Sequence, residues 1–141
     1  KNTGSNNWVF LVLLISLIQV VLGTQVREKI DVFLNIYNRT HIIENLPIVF
    51  EIHRLVAYLV LFSNAAMIYY YRKLFTIYVE LKLIIIILSV LFFSGLLMTY
   101  YSLMPFAQLI HLICAVSLFM CQWSILLKKL DVPNLRTQSS L

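Results

Sequence analysis

Residues 47–73 read PIVFEIHRLVAYLVLFSNAAMIYYYRK, an apolar run with a histidine and an arginine near its start. About 20 predominantly apolar residues cross the hydrocarbon core as a helix, and tyrosines followed by cations are typical of a membrane interface. Histidine is rare at membrane depth and usually faces a partner or a cofactor. His53 is therefore the first candidate functional residue.

The composition places this run in an integral membrane protein. Of 141 residues, 61% are hydrophobic and 12% are charged, and the mean hydropathy is +0.88, whereas a soluble domain is about half apolar and a quarter charged. The formal charge of +5 therefore says little about nucleic acid, and no nucleic-acid partner is expected. Cys114 and Cys121 lie about 10 Å apart along one predicted helix, which is too far for a disulfide.

The fold class predicted from the apolar runs is an all-α membrane protein, a four-helix transmembrane bundle that forms a single domain over residues 1–141. The spans are placed at residues 8–23, 48–71, 81–100 and 105–127. Residues 24–47 form the one long loop, and apolar residues recur there at helical spacing: Ile30, Phe33, Leu34 and Tyr37. A short amphipathic helix on the outer membrane face is expected in this loop.

The cations predict the orientation of the bundle. Seven fall on the side of both termini: Lys1, Arg72, Lys73, Lys82, Lys128, Lys129 and Arg136. Four fall on or near the other side: Arg27, Lys29, Arg39 and Arg54. Because positive charge prefers the cytoplasm, both termini are expected to be cytoplasmic.

A second histidine lies at a matching depth in the fourth span. His53 and His111 follow Pro47 and Pro105 by six residues each, so both imidazoles are expected roughly 9 Å below the outer surface. If spans two and four are neighbours, the rings can bind one ion from opposite sides, as two axial imidazoles bind a haem iron. The metal ligands predicted here are these two histidines.

The neighbours of the histidines suit a haem. Ala57 and Ala115 lie one turn after the two histidines, on the same faces, and leave room for a flat macrocycle. Arg54 is placed to meet propionates that point outward, although it could simply extend its charged head to the interface. Glu51 is interpreted as an ion partner of Arg54 or of an outer-loop cation.

Other readings remain open at this point. A membrane histidine is often only a hydrogen-bonded packing residue. A zinc site would need further ligands, and Cys114, one turn from His111, is most simply a small apolar residue. Gln19, the one strongly polar residue of span one, is interpreted as an interhelical hydrogen-bonding group in preference to a cofactor contact.

The chain resembles the heme A synthase family in three segments, QVVLGTQVRE at 19–28, FEIHR at 50–54 and GLLMTYYSLMPFAQLIHL at 95–112. The resemblance extends over residues 19–129. It implies an eight-span protein made of two four-span halves, each holding a haem between histidines of its second and fourth spans. His53 and His111 match those positions. The family reaction oxidises a ring methyl of haem O to a formyl group, which gives haem A for terminal oxidases.

Two departures from the family pattern favour the carboxyl-terminal, haem b-binding half. The substrate half carries a catalytic glutamate three residues before its first histidine, where this chain has Phe50. That half also carries a cysteine pair in its outer loop, and residues 24–47 contain no cysteine. No catalytic residue is therefore expected in this chain, which would be a carboxyl-terminal part of the enzyme or a separately encoded half.

The resemblance also implies the cofactor and the partners. The cofactor is haem b with bis-histidine iron, and the partners are the lipid bilayer, a second four-helix half with the substrate site, and oxidase assembly factors. The expected location is the bacterial inner (cytoplasmic) membrane. Two other functions stay open, a stand-alone haem-binding membrane subunit for electron transfer or haem delivery and a structural bundle without a cofactor.

Overall fold

A computed structural model describes residues 3–34, 48–74, 78–101 and 104–138. Its four long helices are α1 (Thr3–Leu34), α2 (Ile48–Tyr70), α3 (Val79–Tyr100) and α4 (Pro105–Gln138), with a short 3-10 turn at Arg72–Leu74. Each contains a segment long and apolar enough to cross a membrane. The predicted all-α bundle of four transmembrane helices is confirmed, and the chain is an integral membrane protein.

The first helix corrects the interpretation of the long loop. Residues 24–34 do not form a separate amphipathic helix, because they continue α1 without a break to Leu34. A glycine inside a helix costs only about 1 kcal/mol relative to alanine, so Gly23 does not end the helix. Tyr37 and the rest of the loop lie outside the described residues. At the other end of the chain, α4 also continues past the predicted limit at residue 127.

Apolar packing explains why α1 extends so far. Val26 and Ile30 are buried, and they pack with Phe33 and Leu34 of the same helix, Val49 and Phe50 of α2, and Met98 of α3. The apolar spacing predicted for this segment therefore does mark a buried helix face. That face covers the interior of the bundle instead of lying on the membrane surface.

The helices form a four-membered ring. α1 packs along both α2 and α4, and α3 packs along α4, while α2 and α3 touch only slightly. The histidine-bearing helices α2 and α4 therefore lie across the bundle from each other. We call the end where α2 and α4 begin the loop end, and the end that carries the chain termini the terminal end.

The hydrophobic core is concentrated toward the terminal end. All four helices contribute to it: Val9, Val12, Leu13, Val60, Met67, Tyr71, Leu81, Ile84, Leu88, Leu118, Ile125 and Leu126. Between this core and the small cluster around Val26 and Ile30, no hydrophobic side chain is buried within residues 14–25, 48–59, 89–100 or 108–117. We call this level the open layer. The side chains that are buried at this level are polar, Ser16 and Ser94.

Candidate functional site

His53 of α2 faces α1 within the open layer. Its Nε2 lies 3.4 Å from Nε2 of Gln19, and a Cβ added at Gly23 would lie 3.3 Å from its Cε1. Two buried atoms of this pair, His53 Nδ1 and Gln19 Oε1, have no hydrogen-bond partner among the described residues. The interpretation of Gln19 as an interhelical hydrogen-bonding group is confirmed, and its partner is a candidate ligand.

His111 of α4 faces α3 in a similar way. Ser94 Oγ lies 2.9 Å from His111 Nδ1, and a Cβ added at Gly95 would lie 3.7 Å from His111 Cε1. Ser94 Oγ also lies 3.1 Å from the carbonyl oxygen of Leu91. A hydroxyl has one hydrogen and a carbonyl can only accept. Ser94 therefore donates to Leu91 and accepts a hydrogen bond from the Nδ1–H of His111.

The two histidines lie on matching faces of opposite helices. Asn64 follows His53 by eleven residues, and Gln122 follows His111 by eleven residues. Eleven residues make about three helical turns, so each histidine shares a face with its amide, roughly 16 Å along the axis. Gln122 Nε2 donates to Asn64 Oδ1 at 2.9 Å, and both side chains are wholly buried. The histidines therefore lie on the faces of α2 and α4 that also carry the Asn64–Gln122 contact across the interior.

The two histidines are each half-buried in the open layer. Each belongs to a helix pair in which the preceding helix supplies a glycine and a polar side chain, Gly23 with Gln19 or Gly95 with Ser94. Small residues let membrane helices approach closely, and here they back the imidazole rings. The structure thus brings both predicted ligands together in the open layer.

The other predicted site residues are exposed or half-buried. Ala57 is exposed and Ala115 is half-buried, so neither methyl group is enclosed by protein. Arg54 is exposed and forms a salt bridge with Glu51, with Nη1 and Oε1 3.1 Å apart. Its guanidinium also lies 5.7 Å from the ring centroid of Phe50. The predicted pairing of Glu51 with Arg54 is confirmed, whereas a contact of Arg54 with a propionate stays a prediction.

Sequence reasoning missed three contributors to this region. Ser94 was not singled out as a site residue, Gly23 appeared only as the end of the first predicted span, and Arg27 was counted only as a cation. Arg27 donates to Oε1 of Gln108 on α4 and forms a salt bridge with Asp31 at 3.0 Å, so it joins α1 to α4 near the loop end. The sequence signal that could have revealed the surroundings of the histidines is a polar residue close to a glycine, which occurs in the loop-end half of both α1 and α3.

The donor set suits an iron macrocycle. Among residues 3–34, 48–74, 78–101 and 104–138, no three His, Cys, Asp or Glu side chains form a group that could hold a metal ion. A structural zinc ion takes four protein ligands, whereas haem iron needs only axial ligands from the protein. Two imidazoles backed by glycines, at a level without buried apolar side chains, fit a bis-histidine haem.

The fold and the site together define a class, a four-helix membrane-spanning bundle with two histidines facing its interior. Comparisons with protein-family models, with curated proteins and with solved structures found no match. The function is therefore inferred from the site residues and from the three sequence segments described above.

Proposed function

We propose that this chain is the haem b-binding half of a heme A synthase-like membrane oxidoreductase, in which His53 and His111 would hold the haem iron. The single observation that carries the proposal is the placement of two imidazoles, on helices that lie across the bundle from each other, within a layer where no hydrophobic side chain is buried. The resemblance of residues 19–28, 50–54 and 95–112 to that family supports the choice of enzyme.

The chain's own residues hold and orient the cofactor in this proposal. His111 offers Nε2, because its Nδ1–H is engaged by Ser94. Arg54 places a guanidinium near the loop end for a propionate carboxylate, while Ala57 and Ala115 leave room beside the ligands. Haem b supplies one-electron redox chemistry at iron when it is bound.

Oxidation of the substrate methyl group belongs to a second four-helix half, which is the proposed partner within the membrane. Phe50 stands three residues before His53, where the substrate half of the family has its glutamate. Glu51, the carboxylate nearest to His53 in the sequence, is exposed and paired with Arg54. Both observations favour a chain that binds haem b and passes electrons. Oxidase assembly factors are further proposed partners.

The proposed location is the bacterial inner membrane, with both termini in the cytoplasm. By the predicted spans, seven of the eleven Lys and Arg residues fall on the side of the termini, and positive charge prefers the cytoplasm. Single cysteines placed in residues 1–7 of a variant lacking Cys114 and Cys121 should resist an impermeant thiol reagent in intact cells. Labelling of these cysteines would mean that the amino terminus faces outward and that the proposed orientation is wrong.

The test of haem ligation is the spectrum of the purified protein. The wild-type chain should show a low-spin bis-imidazole haem in absorption and electron paramagnetic resonance spectra. His53→Ala and His111→Ala should each lose that signature, and His41→Ala, which changes the third histidine of the chain, should retain it. A wild-type protein without haem, or a low-spin signature unchanged in either ligand variant, contradicts the proposal.

A stand-alone haem subunit for electron transfer or haem delivery is the second candidate function. It is favoured by one observation, that both candidate ligands belong to a single four-helix bundle. Co-purification distinguishes the two functions, because the enzyme half should associate with a second four-helix protein or segment that carries a glutamate three residues before its first histidine. Isolation of the haem-loaded chain with an oxidoreductase of another kind favours the second function.

A further inference from the structure

We infer that the two proposed iron ligands differ before haem binds. Ser94 holds His111 in the tautomer and orientation of a ligand, whereas His53 has to break its contact with Gln19 first. Haem would therefore bind His111 first and His53 second. This inference rests on the proposed function and adds to it a positioning residue, Ser94, and an order of ligation.

Ser94 selects the tautomer of His111, because a serine hydroxyl has a single proton to donate. Ser94 is only 4% exposed, and its Oγ contacts both the carbonyl oxygen of Leu91 and the Nδ1 of His111. The bond to Leu91 uses the hydroxyl proton, so the ring nitrogen must be the donor in the second bond. That bond selects the Nδ1–H tautomer and leaves the lone pair on Nε2.

Such a bond also changes the strength of the ligand. Metal-ligating histidines usually donate their other ring N–H to an acceptor, which fixes the ring orientation and raises the basicity of the ligating nitrogen. Ser94 supplies that acceptor from α3, the helix packed along α4. The ring of His111 therefore has the tautomer and the orientation of a ligand before iron arrives.

His53 differs in the ring nitrogen that is engaged and in the strength of its contact. The nitrogen in contact is Nε2 itself, and its partner is the amide of Gln19 at 3.4 Å, beyond the usual range of a good hydrogen bond. The amide nitrogen can only donate, so this contact occupies the lone pair of His53 Nε2, which iron would need. The buried Nδ1 of His53 and Oε1 of Gln19 have no partner among the described residues. The contact is thus weak and exchangeable.

The first test measures the imidazole tautomers in protein produced without haem. Nitrogen-15 NMR of histidine-labelled, detergent-solubilised protein should show His111 as the Nδ1–H tautomer, with the signal assigned by its loss in His111→Gln. Ser94→Ala should shift His111 toward a mixture with Nε2–H. Ser89→Ala is the matched control, because Ser89 bonds a carbonyl of its own helix at 2.9 Å and is exposed, and it should leave the signal unchanged.

Two results of this experiment overturn the inference. One is a wild-type His111 in the Nε2–H form, and the other is a tautomer that does not respond to Ser94→Ala. A serine that only packs helices together would not move this signal. The measurement requires no haem, so it separates failure of this inference from failure of the proposed function, which is judged by whether wild-type protein binds haem at all.

The second test follows haem binding. Ser94→Ala should weaken haem affinity about 10- to 100-fold, the usual cost of losing such a partner, and should shift the reduction potential of the haem upward, because a less basic imidazole stabilises ferric iron less. Ser94→Thr keeps the hydroxyl and should restore both values. Gln19→Leu should retain low-spin haem and speed its formation, since no amide competes for Nε2.

The order of ligation has its own signature. His53→Ala should retain haem in a high-spin form held by His111, whereas His111→Ala should lose most of the haem. If His111→Ala retains haem while His53→Ala loses it, or if Gln19→Leu weakens binding as much as Ser94→Ala does, the unequal preparation of the ligands is wrong.

Discussion

At the scale of single residues, the character of each imidazole is set by the side chain that it touches. An unpaired buried polar group costs about 1–3 kcal/mol, and both His53 and Gln19 contain such an atom. His111 has no such atom at Nδ1, because Ser94 engages it. Ligation through Nε2 of His53 would displace Gln19 and leave Nδ1 without a partner among the described residues, whereas ligation at His111 uses a ring whose other nitrogen is already bonded. Two residues of the same type at the same depth need not contribute equally.

The two glycines that back the histidines give a matched pair of substitutions. A Cβ at position 23 would lie 3.3 Å from the ring of His53, which is tighter than most real contacts, whereas a Cβ at position 95 would lie 3.7 Å from the ring of His111, an ordinary contact. Gly23→Ala should therefore displace His53, lower haem occupancy and change the electron paramagnetic resonance spectrum. Gly95→Ala should leave the spectrum unchanged. It should raise the free energy of unfolding by up to about 1 kcal/mol, because alanine has the higher helix propensity.

The haem-to-protein ratio of the purified variants checks this pair. Equal loss of haem in both variants would mean that the helices, and not the ring of His53, respond to the added methyl group. Unchanged spectra in both would show that the His53 ring has more freedom than its contact with α1 indicates.

At the scale of helices, two polar contacts hold the bundle together at the terminal end. Asn64 and Gln122 join α2 to α4 across the interior. Glu80 of α3 accepts hydrogen bonds from Ser124, at 2.8 Å, and from Lys128, both on α4. Interhelical hydrogen bonds are a principal way for membrane helices to recognise each other, because lipid offers no hydrophobic drive for their association. These contacts set the rotation of α2 and α4, and with it the direction of the histidines.

Replacement of Asn64 by leucine should therefore weaken the bundle. Asn64→Leu removes the acceptor of Gln122 and leaves a buried amide unpaired, so the free energy of unfolding should fall by about 0.6–2 kcal/mol. Thermal unfolding in detergent measures the change, and Ser117→Ala, an exposed serine bonded within α4, is the control. The double variant Asn64→Leu/Gln122→Leu should recover part of the loss. A double variant less stable than the sum of the single variants would contradict this account.

At the scale of the whole molecule, composition and apolar run length suffice to predict four helices, but not their arrangement. The continuation of α1 past Gly23 depends on burial of Val26 and Ile30, a contact with other helices that a local pattern cannot reveal. The equal depth of His53 and His111 was readable from their spacing to prolines. Their opposite placement was not, because it depends on which helices pack together. Gln19 and Ser94 could be recognised as polar, yet their partners depend on helix rotation.

One half of the proposed enzyme is not expected to carry out the whole reaction alone. Oxidation of a methyl group on a bound haem requires a substrate pocket distinct from the electron-transfer haem, and a carboxylate beside the reacting carbon is a plausible source of electrostatic stabilisation. Within its described residues this chain offers one pair of histidines, His53 and His111, with the apolar Phe50 three residues before the first of them. Glu51 is exposed and engaged by Arg54. We therefore expect the chain to bind haem b and not to convert haem O.

Expression of the chain alone, supplied with haem O, a reductant and an oxidant, followed by analysis of the extracted haems, provides the measurement. The expected result is unmodified haem O, and the control is the same chain co-expressed with a second half that carries the glutamate, where haem A should form. Appearance of the alcohol or aldehyde product from the chain alone, abolished by Glu51→Gln, would assign this bundle to the substrate half. In that case Glu51, the carboxylate closest in sequence to a candidate ligand, would have to leave Arg54 and turn toward the macrocycle.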